Sequence, residues 1–185
     1  MKRLLLLLIM LIYSGCAPYT LVKPEPHEIR GITITPTNAK WNKVTYTNPT
    51  TWTADGVMLN SIVFFAGVKD GEPLFKTAKQ EQYPVYTTDM LPNEIMELVE
   101  STVAKHYGAT ISSSGNLKPV MIDNNPGFQF TIDFLTQDSI PRRAYIAGAS
   151  KSGLLYLIFY QATSLYYFDK YLADIMAMVG TARLP

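Results

Sequence analysis

Between Phe128 and Leu135 the chain alternates, with Phe128, Phe130, Ile132 and Phe134 on one side and Gln129, Thr131 and Asp133 on the other. A period of two predicts a strand with one covered face and one wetter face. Two further runs, Ile62-Val63-Phe64-Phe65 and the stretch 154–160, carry no polar residue and predict central strands apolar on both faces. Shorter β-branched and aromatic runs predict strands at 31–35, 41–46, 51–53, 57–68, 109–113, 119–123 and 142–150. Asp55-Gly56, Asp70-Gly71-Glu72-Pro73, Asn125-Pro126-Gly127, Gln137-Asp138-Ser139 and Lys151-Ser152-Gly153 are the turn signals between them.

The period changes at Pro92. Ile95, Val99, Val103 and Tyr107 recur every fourth position, Glu94, Glu97 and Glu100 load the first half, and Gly108 follows, so a helix is predicted over 92–107 with Pro92 in its first turn. A second helix is predicted over 165–179 from the stripe Phe168, Leu172, Ile175, Met176 and Val179, with Ser164 as N-cap and Gly180 as terminator. Late strands in an antiparallel meander and two amphipathic helices together predict an α+β fold: a mostly antiparallel β-sheet covered by the two helices.

The start of the chain follows another pattern. Lys2 and Arg3 precede nine large apolar residues, 4–12, which is the length of a signal-peptide core and about half of the roughly 20 residues a spanning helix needs. Residues 17–30 hold three prolines and no periodicity, the composition of an extended tether in which His27 is expected to be solvated. The expected organisation is a signal peptide over 1–15, an N-terminus and tether over 16–30, and a single domain over 31–185.

Composition narrows the function classes. With 48% hydrophobic and 17% charged residues the chain is a folding sequence, and 16 cations against 15 anions give no bulk field for nucleic acid. Removal of residues 1–15 would take away Lys2 and Arg3 and move the formal charge from +1 to −1. A near-neutral body gains little from anionic lipid by charge alone. Cys16 is the one cysteine, so an intrachain disulfide is impossible in a chain expected to enter an oxidising compartment.

Tyr13-Ser14-Gly15-Cys16 resembles the lipobox of bacterial lipoproteins, with Tyr13 standing where that family usually has Leu, Val or Ile. The resemblance implies that Cys16 is the lipidation site, that cleavage falls before it, and that acyl chains such as palmitate hold the protein to a membrane. Ala17 and Pro18 carry no acidic retention signal, and by resemblance this implies the periplasmic face of the outer membrane. A plain secretory signal cut near Gly15 or Ala17 is the alternative. The order of strands, helix, meander and terminal helix beginning near Tyr167-Phe168-Asp169-Lys170 resembles the superfamily of PsbP, the Ran-binding Mog proteins and the envelope lipoprotein DcrB. Residues 52–56 and 64–74 resemble a stretch of proteobacterial lipoproteins. These likenesses imply a PsbP/DcrB-like α/β sandwich and a binding or assembly-supporting role, whereas fold alone does not transfer function.

No H-x-x-x-H, C-x-x-C, G-x-S-x-G or phosphate-binding glycine loop occurs, and no catalytic residue, metal ligand or cofactor is expected. His106, at a helix C-terminus, is favoured there electrostatically, and Ser150-Lys151-Ser152 falls in a turn. The candidate partner contacts are Arg142 and Arg143, whose guanidinium forks suit a carboxylate or phosphate, and Tyr156, Tyr160, Tyr167 and Tyr171, aromatic surfaces with hydroxyl tips. A solvated strand end is the favoured explanation of the arginines, and core packing is that of the tyrosines. The expected function is a lipid-anchored, non-catalytic binding module of the envelope, with an unknown envelope protein or small ligand as partner and no nucleic acid; the alternative is an envelope hydrolase or other enzyme with an atypical site.

Overall fold

The computed structural model describes residues 18–76 and 83–185, so Cys16 and the segment before it lie outside the described residues. Among the described residues, ten strands and two helices follow in order. They are β1 (Tyr19–Leu21), β2 (His27–Ile29), β3 (Ile32–Ile34), β4 (Asn42–Val44), β5 (Thr50–Thr53), β6 (Asn60–Val68), α1 (Pro92–Tyr107), β7 (Thr110–Ile122), β8 (Asn125–Leu135), β9 (Pro141–Lys151), β10 (Leu154–Thr163) and α2 (Tyr167–Thr181). Eight strands form one sheet in the order β1-β4-β5-β6-β10-β9-β8-β7, and β2 pairs with β3 beside it. All pairings are antiparallel. The two all-apolar runs lie in β6 and β10, neighbours at the centre of the sheet.

Alternation along the central strands divides the interior in two. Ile62, Phe64, Tyr156, Ile158 and Tyr160 share a cluster with Phe168, Ile175, Met178 and Val179 of α2. Val63, Phe65, Leu155, Leu157, Phe159 and the four alternating apolar residues of β8 share the other with Ile95, Leu98, Val99 and Val103 of α1. Each helix therefore packs with a different set of alternating strand positions. Coverage is partial, because β7 is exposed along most of its length and Gln129, Thr131 and Asp133 of β8 stay half-buried.

The helix ends show where local signals prevailed and where they failed. At α1, Glu94 accepts the Leu91 N–H at 2.7 Å, Pro92 opens the helix, and Gly108 at φ 58° closes it. At α2 the expected caps are displaced. The Ser164 hydroxyl donates to the Pro141 carbonyl at 3.2 Å, so the helix starts after Tyr166, and Gly180 lies inside a helix that runs to Thr181. Met176 is exposed while Met178 is buried, and Asp174 enters the buried face.

Three further expectations are corrected. The strands expected at 109–113 and 119–123 form one strand, β7, with irregular register at Ile111/Ser113 and Gly115/Lys118 absorbing the excess residues. Asn125-Pro126-Gly127 lies within β8, where Pro126 pairs only with β7, so its missing N–H costs no ladder bond on the other side. The turn is Asp123-Asn124, both at positive φ, as two-residue hairpins favour. The described part of the expected tether also lies against the domain: β1 pairs with β4, β2 with β3, and Val22 and Ile29 are buried. There His27 is half-buried, its Nε2–H donating to the Lys23 carbonyl at 2.9 Å and its ring set edgewise 5.5 Å from Trp52.

Candidate functional site

Arg142 and Arg143 are adjacent on β9, so their side chains leave on opposite faces of the sheet. Arg143 stands opposite Asp133 on β8, where its Nε donates to Oδ1 at 2.6 Å and its Nη2 to Oδ2 at 3.2 Å. Its guanidinium also lies 5.5 Å from the Phe168 ring centroid. The hydrogen bonds to Asp133 thus make the Arg143 guanidinium hold its proton more tightly than usual, and the fork expected for a partner is occupied within the protein.

Arg142 differs. It is 5% exposed, its Nη2 donates to the Met58 carbonyl, and among the described residues no carboxylate lies within ion-pairing distance. Burial lowers its pKa below the ordinary arginine value, with Asp138 and then Tyr107 acting in the opposite direction.

The tyrosines separate too. Tyr156 and Tyr160 are buried, and the Tyr160 hydroxyl donates to the Tyr167 carbonyl at 2.7 Å. Tyr167 and Tyr171 lie half-buried on α2 around Lys170, whose ammonium is 5.3 and 4.7 Å from their ring centroids and 3.3 Å from the Asp55 carboxylate. These are cation–π distances, so the aromatic faces already have a cation. Tyr156 and Tyr160 are core residues, and Tyr167 and Tyr171 carry an internal salt-bridged lysine.

The cleft beside Arg142 was not anticipated as a unit. A cavity of about 260 Å³ is lined by Val57, Met58, Tyr107, Thr136, Gln137, Asp138, Arg142 and Gln161. The left-handed turn at Gly108 matters here, because a Cβ at that position would fall 2.2 Å from the Gln137 amide nitrogen. Gln161, buried on β10, donates from Nε2 to the Tyr107 hydroxyl at 2.9 Å and to Ser61 Oγ at 3.2 Å, leaving its buried Oε1 without a partner. Burial pushes the Tyr107 hydroxyl up to about 12, against the opposing effects of Gln161 and Arg142. Asp138 accepts from the Thr136 hydroxyl at 2.5 Å and the Ile140 N–H at 3.3 Å; the first bond leads in lowering its pKa. An ionised carboxylate, a buried guanidinium and an unused amide acceptor therefore line one small cleft.

A second cavity, about 340 Å³, is lined by Leu21, Val22, His27, Ile29, Lys43 and Trp52 among others, and the buried Trp52 Nε1 has no acceptor. Other chemistry is dispersed. His106 stacks on Phe75 at 3.6 Å, with the Tyr83 hydroxyl 3.4 Å from Nδ1, and Ser150 Oγ accepts from Tyr86 at 3.2 Å. Among the described residues no group of three or more His, Cys, Asp or Glu is arranged to hold a metal ion, and no helix is long and apolar enough to cross a membrane.

No family model and no curated protein matches the chain. Its architecture is similar to the solution structure of cyanobacterial PsbP (CyanoP) from Synechocystis sp. PCC 6803, with a TM-score of 0.51 over 94% of this chain and 96% of that one, at 12% identity. The fold is PsbP-like, and a likeness at that identity speaks to fold alone.

Proposed function

We propose that the chain is a non-catalytic binding or assembly-supporting module of the bacterial envelope, lipid-anchored through Cys16 at the periplasmic face of the outer membrane. The observation that carries the binding role is the Arg142 cleft. A guanidinium withdrawn from water is normally matched by a carboxylate or phosphate, and among the described residues this one has a backbone carbonyl as its hydrogen-bond acceptor and an open cavity whose Asp138 carboxylate stands beyond ion-pairing distance. The PsbP-like architecture supports a scaffold that presents such a site. The lipobox-like residues before Cys16 support the anchor, since two or more acyl chains bind stably where one binds marginally.

The test is to isolate the acylated protein from membranes in mild detergent, as wild type and as Arg142→Gln, and to identify by native mass spectrometry what each retains. A component held by the wild type and lost from the variant at equal abundance is expected. Identical retained sets would overturn the binding role, and a mature N-terminus other than acylated Cys16 would overturn the anchor.

A further inference from the structure

The Arg142 cleft contains two unmet requirements of opposite kind, and their placement defines a ligand. Arg142 lies opposite Thr163 and Gln161 opposite Ala144 in the β9/β10 register, so Arg142 and Gln161 are diagonal neighbours on the same face. Such positions lie about 7–8 Å apart, within the span of two long polar side chains converging on one small molecule. Arg142 offers N–H donors beyond the one used on Met58 and has no carboxylate partner among the described residues. Gln161 offers the reverse. Both hydrogens of its amide nitrogen are used, on Tyr107 and Ser61, and its buried oxygen awaits a donor.

An inorganic anion that carries no proton, such as chloride or sulfate, would answer the first requirement and leave the second. Water or an alcohol would do the opposite. One molecule answers both if a donor group sits on the carbon next to its carboxylate. Val57, Met58 and the Tyr107 ring form an apolar part of the wall, with the polar Thr136, Gln137 and Asp138 completing it, and Met58 is 66% exposed at the rim. At about 260 Å³ the cavity falls below the roughly 300–1,000 Å³ of drug-sized sites.

We infer that this cleft binds a small 2-amino or 2-hydroxy acid with an apolar side chain. Its carboxylate engages Arg142, its 2-substituent donates to Gln161 Oε1, and its side chain rests on Val57 and Met58. Asp138 adds a fixed negative charge to the lining and favours the amino member of the class. The inference rests on the reading of the chain as a binding module and names what that module takes.

The experiment is isothermal titration of the full-length protein in detergent with four probes of one shape. L-leucine and 2-hydroxy-4-methylpentanoate carry both groups, 4-methylpentanoate lacks the donor, and L-leucinamide lacks the carboxylate. The expected result is saturable binding of the first two, with the last two weaker by about tenfold or more. Arg142→Lys should weaken leucine binding by a similar factor, since a point charge replaces the fork. Because Arg142 also holds the Met58 carbonyl, Met58→Glu at the exposed rim provides the second variant. It should retain wild-type melting and lose about tenfold in affinity through like-charge repulsion. No saturable binding of either two-group probe, equal binding of all four, or unchanged affinity in Met58→Glu would overturn the inference. If these probes fail while a membrane component is still retained in an Arg142-dependent way, the ligand assignment falls and the binding-module reading stands.

Discussion

Replacing Asp174 by Ala should be among the most damaging single changes in the terminal helix. The carboxylate is 8% exposed and accepts from the Asn38 N–H at 2.7 Å, from Trp41 Nε1 at 3.1 Å and from the Thr37 hydroxyl. It thereby ties α2 to the loop between β3 and β4, where Trp41 is fully buried with its ring 5.4 Å from Tyr171. Truncation leaves the indole N–H and the Asn38 N–H without an acceptor. Each such orphan costs about 1–3 kcal/mol, so the pair predicts a loss of about 4 kcal/mol. For a domain of this size that corresponds to a fall in Tm of about 8–16 °C. Asp174→Asn should cost about half as much, because one oxygen remains while the amide nitrogen faces another donor.

The effect should also depend on pH. Burial opposes ionisation of Asp174, but the bonds from Thr37, Asn38 and Trp41 outweigh it and lower its pKa below 3.8. The stabilisation is therefore full above pH 3.8 and is lost as pH falls through the folded-state value, so the gap between wild type and Asp174→Ala should narrow in that window. Urea unfolding followed by tryptophan fluorescence measures both effects, since Trp41 and Trp52 are the two tryptophans. An Ala variant within about 0.5 kcal/mol of wild type at pH 7, with an unchanged m-value, would refute the reasoning.

Phe130→Ala and Leu157→Ala should each cost about 2–5 kcal/mol, because both side chains are about 1% exposed in the α1 cluster; equal urea midpoints for wild type and variants would contradict this packing. His106 has its pKa lowered by burial from 6.5, so its contribution is full above pH 6.5 and falls as pH drops through the folded-state value. His106→Gln should flatten that segment of the stability curve and leave leucine binding unchanged, as titrations at pH 5 to 8 would show. Cys16→Ser should leave either an unprocessed precursor still held by its apolar leader or a soluble form, read by membrane fractionation and N-terminal mass spectrometry; a variant cleaved before residue 16 that stays on the membrane as wild type does would contradict lipid anchoring.

Local periodicity carried much of the architecture. The spacing of Ile95, Val99 and Val103 under Pro92 and before Gly108 determined α1 to the residue, and the alternation from Phe128 to Phe134 determined which face of β8 is buried. Apolar runs without polar interruption likewise marked β6 and β10 as central strands. Such patterns are legible because each is set by neighbours within a turn or a pleat. Period two even determines that Arg142 and Arg143 diverge.

Tertiary structure decided what each side chain met after it diverged. Arg143 finds Asp133 because β8 and β9 pair in one register, and Arg142 finds a cavity because the other face ends at Tyr107. Gln161 ends an apolar run, and its partners lie 54 and 100 residues away, which no local pattern encodes. Ser164 and Gly180 carried correct local signals for a helix start and stop, yet the Pro141 carbonyl claimed one and helix packing ran through the other. Backbone periodicity is a short-range property of the chain, whereas the pairing of a buried polar group depends on what the fold brings within about 3 Å of it.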